Sequence, residues 1–164
     1  MSYWLLLLVQ FSIVAYALVG GVFLAFSDFI MRSLALTSGK GGIEAMQSIN
    51  RQVFRWVFMT LFLGMAPVSL VLAGIAWANL NTPGASLLLV SGVLYLAGCL
   101  TVTIVCNVPM NERLAALKAS DKDACTYWTG TYLPRWTFWN TVRTSACILA
   151  AGLQTAGLVS LVTA

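Results

Sequence analysis

The chain contains no histidine in 164 residues. Haem ligation through imidazole, His-bearing zinc sites, the two-His-one-carboxylate iron site and Ser–His nucleophilic catalysis all need that ring. Any chemistry therefore falls to Asp, Arg, Asn, Tyr and Trp, and side chains of these types recur at helical spacing. Asp28 and Arg32 stand four apart. Gln47, Arg51 and Arg55 repeat every fourth residue with Asn50 beside them, and Thr103, Asn107 and Asn111 repeat likewise across Pro109. Trp136, Trp139, Asn140 and Arg143 fall at i, i+3, i+4 and i+7. On a helix each of these sets shares one face. Cys99, Cys106, Cys125 and Cys147 include no Cys-x-x-Cys, so neither a redox motif nor a zinc site is expected from them.

The elements that must carry these residues follow from composition. The chain is 60% hydrophobic and 9% charged, against about 25% charged in a soluble domain. Crossing about 30 Å of hydrocarbon takes about 20 consecutive apolar residues in a helix. Four runs qualify, roughly 3–30, 54–78, 85–106 and 138–162. They are continuously apolar and lack the alternation of a lipid-facing strand, so helices are expected. The predicted fold is all-α: one four-transmembrane-helix bundle over residues 1–164, with two longer cytoplasmic connections.

Ala15-Tyr16-Ala17 looks like a signal-peptide cleavage site. However, no Lys or Arg precedes the run and its apolar stretch continues to Phe26, so the first helix is expected to be retained. Arg32, Lys40, Arg51 and Arg55 lie around the first connection, and Arg113, Lys118, Lys122, Arg135 and Arg143 around the third. The short second connection, residues 79–84, has no basic residue. By the positive-inside rule both termini are non-cytoplasmic. The net charge of +4 is explained by this bias; it points to an anionic lipid leaflet and calls for no nucleic acid.

Ala17, Gly21 and Ala25 form a small-residue stripe on the first helix, and Gly152 and Ala156 a shorter one on the fourth. These are expected to pack helix on helix within the chain; an oligomer is compatible with them but nothing calls for one. Asp28 and Arg32 continue the first stripe. Pro109 removes a backbone donor and should disturb the end of the third helix. All four helices thus bring polar groups to one membrane side, as a cytoplasm-facing pocket would require. A bland assignment fits some of these groups: Trp136 and Trp139 suit an interfacial aromatic belt, and Arg51, Arg55 and Arg135 the positive-inside bias. Arg143 lies about two turns into its helix, where a charge costs on the order of 2.5–3.5 kcal/mol. It should have a partner, and Asp28 or Glu112 is expected to supply it.

Four segments carry a family resemblance: residues 20–29 (Gly-Gly-Val-Phe-Leu-Ala-Phe-Ser-Asp-Phe), 45–51 (Ala-Met-Gln-Ser-Ile-Asn-Arg), 107–111 (Asn-Val-Pro-Met-Asn) and 136–144 (Trp-Thr-Phe-Trp-Asn-Thr-Val-Arg-Thr). Together they resemble the anthrone oxygenase family, and more closely its uncharacterised bacterial membrane relatives. The resemblance spans nearly the whole chain and implies a bacterial inner-membrane protein. It also implies an activity: the family's characterised fungal members oxidise anthrones to anthraquinones with molecular oxygen and no recognised cofactor. Many relatives carry His where this chain has Thr141, so any base they draw from that position must be another group here.

Such chemistry needs an aromatic slot, a general base, and cationic or amide donors aimed at an enolate oxygen. On the resemblance, Arg143, Asn140, Asn107 and Asn111 are candidate donors, Trp136 and Trp139 the slot, and Asp28 or Glu112 the base. Asn50 and Arg51 join the substrate-binding set. The expectation is then a cofactor- and metal-free oxidation of a polycyclic anthrone- or hydroquinone-like aromatic small molecule. The alternative is a non-enzymatic membrane protein that binds a hydrophobic small molecule or serves as an accessory subunit of a larger complex. A channel fits less well, because no continuous polar path runs along the helices.

Overall fold

In the computed structural model, which describes residues 3–164, the chain folds into five helices: α1 (Tyr3–Leu36), α2 (Gly39–Gln52), α3 (Trp56–Ala78), α4 (Ala85–Ala115) and α5 (Lys122–Thr163). All but α2 are long and apolar enough to cross a membrane. In a bilayer core each backbone N–H and C=O must find its partner within the protein, and a continuous helix does this from local sequence alone.

The spans run further than their apolar stretches. α4 continues to Ala115 where the apolar run ends near residue 106, and α5 begins at Lys122 where a start near 138 was expected. At 1.5 Å per residue, the 42 residues of α5 reach about 63 Å, twice the hydrocarbon thickness. Pro109 does not end α4. The widened π turn Thr103–Asn107 precedes it, and a second one, Trp128–Tyr132, precedes Pro134 in α5. A proline ring pushes away the carbonyl four residues back, here that of Val105 or Gly130. Each lies in a π turn, where the hydrogen-bond ladder is already loosened.

The packed face of α1 runs through Ser12, Ala15, Tyr16, Val19, Gly20 and Phe23, all buried. The expected Ala17–Gly21–Ala25 stripe instead faces outward: Ala17 and Gly21 are exposed, and a Cβ on Gly21 would meet nothing within 4 Å. The same holds for Gly152 and Ala156 on α5. Large residues decided the facing, since Tyr16 and Phe23 bury far more area than a small-residue stripe could. The close approaches are elsewhere. A Cβ on Gly20 would lie 2.9 Å from Cys147 Cβ, and one on Gly98 2.7 Å from Ala146 Cβ. At the α3–α4 connection Gly84 has φ 80°, and a Cβ there would strike the Gly157 carbonyl.

Among the described residues, buried side-chain polar atoms inside the bundle are paired except Asn107 Oδ1 and Arg143 Nε. Tyr16 stacks on Tyr95 at 4.8 Å and shares a 2.7 Å hydrogen bond with Ser69, while Tyr95 donates to the Phe62 carbonyl. Further along, Gln154 joins three helices, donating to Ser12 and accepting from Ser91. At the basic end, α2 covers the extensions of α4 and α5, burying Ile43 and Met46 in one core with Leu114, Trp128 and Tyr132. There Trp128, Tyr132 and Trp136 stack at i, i+4 spacing along α5, with ring centroids 5.3 and 6.0 Å apart.

Candidate functional site

Where α3 diverges from its neighbours at the basic end, a cleft of about 680 Å³ opens, within the ~300–1,000 Å³ of small-molecule sites. Its walls are apolar and aromatic: Phe23 and Phe26 from α1, Phe58, Met59 and Phe62 from α3, Ile104 and Val108 from α4, and Trp136 from α5. Phe23 packs edge-on against Phe58 and Phe62, which lie parallel to each other, and Phe26 leans on Trp136.

Arg143 lies against this cleft with only 4% of its surface exposed. Its expected carboxylate partner is missing. Among the described residues the only ion pair is Lys40–Glu44, on the surface. The Arg143 guanidinium instead donates to Asn140 Oδ1 at 2.6 Å and Thr103 Oγ1 at 3.2 Å. It lies 4.1 Å from the Phe23 ring centroid and 5.3 Å from that of Trp136. Desolvated cation–π contacts of about 2 kcal/mol offset part of the burial cost without cancelling the charge. Its Nε–H has no partner. An uncompensated buried cation beside an apolar cleft is the arrangement that favours a ligand bearing negative charge on oxygen.

Asn140 is fully buried and saturated. Its Nδ2 donates to the Phe23 carbonyl at 2.6 Å and to Ser27 Oγ at 2.7 Å, while its Oδ1 accepts from Arg143. It does not line the cleft, so its expected role as a donor to substrate is replaced by that of a positioning residue: it fixes Arg143 against α1. Asn107 is likewise buried away from the cleft, donating to the Trp136 carbonyl at 3.2 Å, with its own Oδ1 unpaired. Asn111 does line the cleft, but its Oδ1 accepts from Tyr132 Oη at 2.7 Å and Trp136 Nε1 at 2.8 Å. That pair of bonds sets the plane of the Trp136 indole. Asn50 lines the cleft and donates to Tyr132 Oη, and Arg51 stands exposed at its rim.

Two expected site residues lie elsewhere. Asp28 is exposed, does not line the cleft and pairs with neither Arg32 nor Arg143. It follows Gly21 by seven residues and shares its outward face. Trp139 packs edge-on against Phe138, at the margin of the stripe whose inward part Asn140 and Arg143 occupy. Of the two candidate bases, Glu112 is the carboxylate on the cleft, exposed at its rim. Thr141 is exposed, bonded to Ser27 and its own helix, and off the cleft.

Sequence reasoning missed Phe23, Phe58, Phe62, Ser27 and Tyr132. Tyr132 carried a signal, because it continues the Trp136 face one helical turn earlier. The three phenylalanines carried none, being indistinguishable from lipid-facing ones. Among the described residues no group of three or more His, Cys, Asp or Glu side chains gathers.

The model of a protein family described as anthrone oxygenase matches residues 56–153, which covers α3, α4, most of α5 and the connections between them. No curated protein and no solved structure matches the chain.

Proposed function

The chain belongs to the anthrone oxygenase family, and on that premise we propose that it oxidises a polycyclic anthrone- or hydroquinone-like substrate with molecular oxygen in the Arg143 cleft. The observation that carries this reading is the buried guanidinium, unpaired by any carboxylate and with a free Nε–H, beside an aromatic cleft of substrate size.

An anthrone carries an acidic benzylic C–H para to its carbonyl across the central ring. Removing that proton sends the electron pair to the carbonyl oxygen as an aromatic enolate. Arg143 binds this oxygen, and the rings of Trp136 and Phe23, both on the cleft wall, hold the polycycle. Glu112, at the rim, takes the proton. The electron-rich carbon then adds molecular oxygen, the peroxide anion so formed takes the proton back from Glu112, and loss of water from the hydroperoxide leaves a second carbonyl. One anthrone and one O2 give one anthraquinone and one water, with oxygen as the only oxidant. The protein's share is to stabilise the enolate by preorganised charge. The basic end is assigned to the cytoplasm by its Lys and Arg content; maleimide reaching Asn81→Cys from outside intact cells, with Cys125 protected, would agree with this.

The test is oxygen uptake by the purified protein with hydroxylated anthrones, chelator present throughout. Acceleration over detergent alone, one O2 per anthrone, and a rate loss of at least about tenfold in Arg143→Gln are expected, since an oxyanion donor is worth about 10²–10³ in rate. No acceleration with any anthrone or hydroquinone would overturn the reading in favour of a non-enzymatic binder, as would an equal rate in Arg143→Gln.

A further inference from the structure

The rim of the cleft has two different sides. Toward the basic end it is polar, with Gln47, Asn50, Arg51 and Glu112. Sideways it is bounded by Val22 on α1, Leu63 on α3 and Ile104 on α4, which are 41%, 50% and 58% exposed and lie on helices long and apolar enough to cross a membrane. The gap comes from the course of α3 against α4. Their backbones meet at Gly92, where a Cβ would stand 2.8 Å from the Ser69 carbonyl. Further along, a whole tyrosine side chain separates them, Tyr95 reaching across to the Phe62 carbonyl. Beyond Tyr95 the helices part and the cleft begins.

From this we infer that the cleft opens laterally into the bilayer and takes an amphiphile: an aromatic head against Arg143, with an alkyl tail passing out between Leu63 and Ile104 into lipid. The head chemistry rests on the functional reading above; the tail rests on the gap. Apolar residues this exposed at a cleft mouth suit hydrocarbon and not water, and Arg143 supplies a buried charged contact at the other end of the ligand. A tail in the gap replaces lipid chains, so it adds little affinity per molecule in the membrane. Its consequence is steric: a tailed ligand fits only while the gap is open.

The probe is a ring-alkylated anthraquinone with a photoreactive diazirine in mid-chain, added to the full-length protein in phosphatidylcholine vesicles. Labelling focused on the segments around Leu63 and Ile104, and displaced by excess unalkylated anthraquinone, is expected. In parallel, Leu63→Trp narrows the gap from an exposed position at its mouth that leaves the aromatic wall and the core packing alone. It should raise KM for an alkylated anthrone about tenfold or more and leave that of the unalkylated anthrone unchanged. Labelling scattered over the lipid-facing surface and undisplaced overturns the inference, as does a plug that affects both substrates equally. Focused, displaceable labelling without any oxidation removes the oxygenase reading and keeps the lateral opening; oxidation of the unalkylated anthrone alone does the reverse.

Discussion

Replacing Asn140 with alanine should be among the most damaging single changes in this protein, although the residue never touches the cleft. Its amide makes three short hydrogen bonds, to the Phe23 carbonyl, Ser27 Oγ and the Arg143 guanidinium, all on a side chain with no exposed surface. Alanine would strand the Phe23 carbonyl and one face of a buried cation. Each buried polar group left unpaired costs about 1–3 kcal/mol. Polar pairs between membrane helices average nearer ~0.6 kcal/mol, because the dispersed helices find other partners. The bonded cation favours the upper part of that range, giving a loss of about 2–5 kcal/mol. Thr141→Ala is the matched control. Its hydroxyl bonds Ser27 and its own helix from an exposed position, and surface changes of this kind stay within about 0.5 kcal/mol. Unfolding of both variants in mixed micelles against mole fraction of denaturing detergent reads the difference. Equal midpoints would show that the Asn140 network is not holding α1 to α5, and the positioning role would fall.

Gly20 and Gly21 make a second paired test. Gly20→Ala drives a Cβ to 2.9 Å from Cys147 and should cost ~1–3 kcal/mol, whereas Gly21→Ala meets open space and should gain up to ~1 kcal/mol from helix propensity; thermal melts in detergent that rank them the other way would contradict the assigned face of α1. Asp28→Ala should change stability by no more than about 0.5 kcal/mol, like Asp121→Ala, because Asp28 is exposed and pairs with no cation; a melting point well below that of the control would restore the ion pair that the sequence suggests.

The membrane-crossing segments were legible because hydrocarbon imposes a length and a composition that few other environments mimic. Their ends were less so. Residues 107–115 and 122–137 are amphipathic, and Pro109 reads as a stop signal until a π turn absorbs it. Convergence of the polar sets from four helices at one end was also legible, since each set repeats at helical spacing. The partner of Arg143 was not. Spacing along α5 places Asn140 one turn before it, yet whether the cation meets Asp28 or the Phe23 ring depends on how α1 is rotated. Tyr16 and Phe23 settle that rotation by burying their rings, and so turn Gly21 and Asp28 outward together. A small-residue stripe permits close packing without requiring it, which is why the Ala17–Gly21–Ala25 pattern misled. The aromatic wall of the cleft was hidden for the same reason that spans are easy to find: in an apolar helix, a phenylalanine facing a ligand looks like one facing lipid.

The central claim is that Arg143 stabilises an aromatic enolate inside the cleft, and it is tested most directly without oxygen. An anthrone titrated anaerobically against the purified protein, at a pH where the free molecule stays in its keto form, should develop the absorbance of its enolate as it binds. Arg143→Gln should still bind the polycycle through Trp136 and the phenylalanines, with the enolate band lost. A band of equal strength in Arg143→Gln, or bound anthrone that remains wholly in the keto form on the unaltered protein, would contradict the account.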